Sequence, residues 1–168
     1  MSHKFSKAVN LDVAENYDEA ITNYEDAILE NEKLHTDAFS NLAFIYWNLA
    51  FASPFEIKPE VADRWSIIGG ERYSIILEMG INRQADILEL IFWKRYCSHI
   101  VFGEDFTPKE CMSLIESYRL SQSHVPYFFL WLFDKKKYVA ECTELLRRCK
   151  KEMTTKNRYI ISILSTRT

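Results

Sequence analysis

A chain of 168 residues with four glycines and four prolines has too few turn-formers for a β-sandwich or a doubly wound α/β fold. Its apolar fraction of 48% and charged fraction of 27% belong to a folded globular chain and exclude a disordered one. The net charge of −3 hides a split: residues 1–60 hold eleven acidic and four basic side chains, residues 61–133 nine and seven, residues 134–168 four and ten. Such fields steer partners of opposite sign.

Apolar residues recur at helical spacing along almost the whole chain. Phe5, Ala8, Val9, Leu11 and Val13 predict a short first helix. Tyr17, Ala20, Ile21, Tyr24, Ala27 and Ile28 form one stripe of a second, running to about Leu29. A third covers about His35 to Phe51. It includes most of an uncharged run, 38–55, that is interrupted by Ser40, Asn41, Asn48, Ser53 and Pro54 and reads as a packed helix, not a membrane span. Pro54 and Pro59 bracket a loop, and Pro59 opens a fourth helix ending near Gly80. Inside it Gly69-Gly70 marks a kink, a break or a close approach of another helix. A fifth spans Arg83 to Phe102, stopped by Gly103. Thr107-Pro108-Lys109-Glu110 is a capping-box start for a sixth, to about Leu120. A short apolar segment, His124 to Phe133, precedes an amphipathic helix from Tyr138 to Lys151 and a last one from Thr154 to Leu164. A single helical domain, 1–168, is expected.

Few constellations suggest chemistry. Cys97 and His99, two apart on a helix, point about 200° away from each other, so one metal ion or one nucleophile–base pair cannot readily use both. Cys97, Cys111, Cys142 and Cys149 form no CxxC pair, and residues 1–30 lack a secretory pattern, so buried reduced thiols and a cytoplasmic location are expected. The basic clusters Lys135–Lys137 and Arg147–Lys151, and the aromatic-basic run Trp93–Tyr96, stand among acids in a net acidic chain. Nucleic-acid binding is therefore not expected. No catalytic residue, metal ligand or cofactor is assigned.

The most specific spacing lies at the start. Asn16-Tyr17-Asp18-Glu19-Ala20-Ile21, then Tyr24 and Ala27-Ile28, resembles the second helix of a tetratricopeptide repeat. Leu42-Ala43 and Tyr46, 35 residues after Lys7-Ala8, resemble the first helix of the next. The resemblance covers residues 3–51; residues 54–168 form a non-canonical, aromatic-rich helical extension. It implies an all-α fold of antiparallel hairpins whose first helices line a concave surface that takes up a peptide or a partner helix. Carried over by motif, that lining is Phe5, Val9, Asp12, Asp37, Asn41, Phe44, Trp47 and Asn48. Asn41 matches an asparagine with which chaperone-binding members hold a C-terminal carboxylate, but Phe5 and Val9 stand where those members need a lysine and a second asparagine. The expected function is non-enzymatic binding of another protein, with a homo-oligomer compatible. The alternative is a cytosolic immunity- or antitoxin-type protein that neutralises a cognate toxin or effector.

Overall fold

The computed structural model describes residues 3–30, 35–51, 59–84 and 86–165, with side chains described outside 59–66. Every regular element among them is helical: α1 (His3–Val13), α2 (Tyr17–Glu30), α3 (Thr36–Phe51), α4 (Pro59–Arg83), α5 (Leu88–Phe102), α6 (Pro108–Ser117), α7 (Tyr127–Trp131), α8 (Val139–Cys149) and α9 (Thr155–Ser165). The all-α class follows from this order. The loop expected between Pro54 and Pro59 lies outside the described residues, apart from Pro59 itself, which opens α4.

The first four helices form two antiparallel pairs. Lys4, near the start of α1, reaches Asp26 and Glu30 near the end of α2. The turn between α1 and α2 closes with Asn16 N–H donating to Leu11 O, and Glu15 takes the left-handed position with φ 61°. Glycine is the usual residue there, because its missing Cβ removes the steric cost. In the second pair, α3 and α4 run oppositely, with Phe39 opposite Gly80 and Tyr46 opposite Gly69.

The two glycine features are packing features. A Cβ on Gly69 would collide with the carbonyl oxygen of Tyr46, so α4 passes Gly69-Gly70 unbroken and the glycine admits α3. Gly80 does not end the helix, as its spacing suggested. A Cβ there would come within 2.9 Å of Phe39, so the residue is spent on the same close approach, and α4 continues to Arg83. Consequently α5 begins at Leu88, five residues later than Arg83. Gly103, with φ 68°, does stop α5 by donating to His99 O. The Thr107 capping box is formed on both sides, with Glu110 N–H donating to Thr107 Oγ1 and Thr107 N–H to Glu110 Oε2.

One cluster of buried apolar residues runs from Phe5 to Leu164. Its middle is aromatic: Phe92 meets Phe128 edge-on at 5.5 Å and Tyr96 meets Phe128 at 5.2 Å. The uncharged stretch of α3 is buried from Ala38 to Trp47. No helix among the described residues is long and apolar enough to cross a membrane.

Candidate functional site

The side chains expected to line a concave surface come from α1 and α3, and six of the eight are buried: Phe5, Val9, Asp12, Asn41, Phe44 and Trp47. Asp37 and Asn48 remain partly exposed. The surface they form is not open, as the resemblance implied. At Asp12, Asp37, Phe44 and Trp47 it is covered by α9, which the chain returns over it after α8. The apolar residues Ile160 and Leu164 of α9 are buried, and α9 packs against α3, α7 and α8.

Four of the eight engage α9 directly. Asp12 Oδ1 accepts from Thr155 N–H at 2.8 Å and Thr155 Oγ1 at 2.6 Å. Thr155 is the first residue of α9, and its amide has no acceptor within the helix, so the Asp12 carboxylate caps α9 from another element. Asp37 meets Lys156 at 3.4 Å. Phe44 and Trp47 hold the Tyr159 ring at centroid distances of 5.1 and 5.6 Å. Asn41 and Phe5 act one step back: Asn41 Nδ2 donates to Tyr24 Oη, Tyr24 Oη donates to Asp12 Oδ2, and Phe5 packs on the Tyr24 ring. Arg158 completes the seam by donating to the carbonyls of Asp12, which also accepts the Glu15 N–H, and of Val13, at the C-terminal end of α1.

The strongest anchor of the seam was not among the expected residues. Lys156 is 4% exposed. Its ammonium donates to Glu89 Oε1 at 2.5 Å, Ser40 Oγ at 2.8 Å and Asp37 Oδ1 at 3.4 Å, which uses all three N–H bonds. Glu89 also accepts from Trp93 Nε1 and Ser123 Oγ. Burial works against the charge of Lys156, but the Glu89 and Asp37 carboxylates outweigh it and hold its pKa above the ordinary lysine value. Burial would likewise raise Asp37, yet Lys156 and His35 pull it well below the usual carboxylate range. Asp12 goes the other way: burial raises it, and the bonds from Thr155 offset only part. A lysine held protonated by three acceptors is an anchor, not an amine nucleophile.

The charge split of the sequence is partly closed here. Acids of α1, its following turn and α3 (Asp12, Glu15 and Asp37) meet bases of α9 (Arg158 and Lys156). Beside the anchor, His35, Gln84, Asp86, Glu89, Ser123 and Arg148 line an open polar cleft of about 430 Å³. Two polar atoms of the lining set are buried with no partner among the described residues, Asn41 Oδ1 and Trp47 Nε1.

The remaining constellations resolve into packing. Cys97 is buried, and His99 turns to Glu104 O and the Phe129 ring. All four thiols are free and buried; burial pushes Cys111 and Cys142 up to about 12 and Cys149 to about 11. No group of three metal-ligating side chains gathers among the described residues. In the Trp93–Tyr96 run the aromatics are buried, Lys94 pairs with Glu78, and Arg95 pairs with Glu104 and Glu110. Comparison with family models, curated proteins and solved structures found no match.

Proposed function

We propose that this protein is a non-enzymatic protein-interaction module whose concave α1/α3 surface recognises a helix, and that in the resting chain this helix is its own α9. The observation that carries the reading is the convergence of Asp12, Asp37, Phe44 and Trp47 on one helical face: a cap for its first amide, an acceptor for its lysine and a ring slot for its tyrosine. A helix presenting Thr-Lys-x-x-Tyr is what such a groove selects. Asn41 Oδ1 and Trp47 Nε1, without a partner among the described residues, add to it. Each buried, unpaired group costs about 1–3 kcal/mol, so a partner that satisfies both gains over α9. The gain matters, because a tethered helix competes at an effective concentration on the order of millimolar.

Alanine at Phe44 or Trp47 is a poor test, since both rings are core. The better test loosens the occupant. In the full chain, Thr155→Ala with Tyr159→Ala removes one capping contact and the ring that fills the slot. A labelled peptide of residues 153–165 is then added. Capture by this variant, little capture by the parent chain, and loss of capture on adding Asp12→Ala are expected. If the variant keeps its helical circular dichroism yet takes up no peptide, or if losing α9 contacts unfolds the whole chain, the groove is not a recognition surface.

A further inference from the structure

We propose that the rim carrying Phe102 and Phe133 is a self-association surface on which a second copy of this chain docks about a two-fold axis. Both rings are unusually exposed, at 66% and 62%. They flank one contact: the His99 and Phe129 rings lie 6.2 Å apart, Phe102 follows His99 by one helical turn, and Phe133 follows Phe129 by one turn, packing on it at 5.2 Å. Phe106 also stacks on Phe129, at 4.8 Å, so Phe133 stands on an aromatic base. Two solvent-facing phenylalanines beside such a base mark an interface more than an ordinary surface.

The charges beside the rings select the occupant. Next to Phe102 come the exposed Glu104 and Asp105; next to Phe133 come the exposed Lys136 and Lys137. On the acidic flank Arg95 pairs with both Glu104 and Glu110, and on the basic flank Asp134 turns its carboxylate to the Lys137 amide. The flanks therefore keep opposite net sign. A two-fold axis between the rings brings Phe102 of one copy to Phe133 of the other and sets acids against lysines on both sides. That is the self-complementarity an isologous dimer requires. A uniformly acidic partner or an anionic lipid surface would instead meet Glu104 and Asp105 with like charge.

Sedimentation equilibrium on the full chain tests this. The average mass should climb toward twice the monomer as concentration rises. Phe102→Ser or Phe133→Ser, each with unchanged circular dichroism, should weaken association by at least about tenfold. Two charge variants sharpen the result. Lys136→Glu/Lys137→Glu makes both flanks acidic, and Glu104→Lys/Asp105→Lys makes both basic. Each should be monomeric alone, and a mixture of the two should form a heterodimer. A parent chain that stays monomeric at every concentration, charge variants that associate as the parent does, or binding of the parent to anionic vesicles without self-association would overturn the proposal.

Discussion

Removing the ammonium of Lys156 should be among the most damaging single changes outside the aromatic core. Lys156→Met keeps the length and apolar stem of the side chain and deletes the charge. Glu89, itself buried, would keep its bonds from Trp93 Nε1 and Ser123 Oγ but lose its counter-charge. Breaking a buried pair from one side costs about 3–5 kcal/mol, since the survivor stays desolvated. The low end applies, because Glu89 borders the polar cleft and Asp37 is partly exposed to water. At about 2–4 °C per kcal/mol for a chain of this size, a cost of about 3 kcal/mol lowers Tm by roughly 6–12 °C. The double variant Lys156→Met/Glu89→Gln removes both charges and should recover most of the loss. Thermal melts followed by circular dichroism read both. A single variant within about 2 °C of the parent, or a double variant no better than the single, would refute the buried-pair account.

Three further outcomes follow from particular backbone and charge features. Glu15→Gly should raise stability by about 1 kcal/mol in a denaturant titration, since the left-handed turn no longer carries a Cβ and its ion pair with Arg158 is a weak surface one. Gly69→Ala should lower Tm sharply because the new methyl meets the Tyr46 carbonyl, whereas Gly70→Ala, which faces only the end of the Phe51 ring at 3.8 Å, should be neutral or gain up to about 1 kcal/mol of helix propensity. Donation from His35 to the Asp37 carboxylate raises the pKa of His35 above 6.5, so its contribution is full below that value and is lost as pH rises through the raised one. Melts between about pH 6 and about pH 8.5 should show a small fall in Tm that His35→Gln abolishes.

Much of the helix order was legible because its signals are local. The 3.6-residue stripe of α2, the Thr107 capping box and the Gly103 stop each act within a turn or two, and α2, the start of α6 and the end of α5 lie where they put them. Gly80 misled because a glycine that ends a helix and a glycine that admits a neighbour look alike in sequence; only the opposing Phe39 and Leu90 distinguish them. The seam with α9 was not legible, because its bonds join residues far apart in the chain: Glu89 to Lys156, and, more than a hundred residues apart, Asp12 to Thr155 and Ser40 to Lys156. Lys156 in particular reads as an ordinary solvated lysine until the tertiary structure sets it against Glu89. Two signals did point toward the seam. A lining with Phe5, Val9, Phe44 and Trp47 is too apolar to face water unaided, and the acidic start of the chain has a basic complement at its end.

The central claim is that α9 seals the α1/α3 surface in the resting chain, and amide hydrogen exchange on the native protein tests it most directly. Amides of α9 from Tyr159 onward should be protected about as strongly as those of α3, and Lys156→Met should speed exchange in α9 ahead of α2. Rapid exchange across residues 159–165 in the parent chain, with α3 still protected, would contradict it.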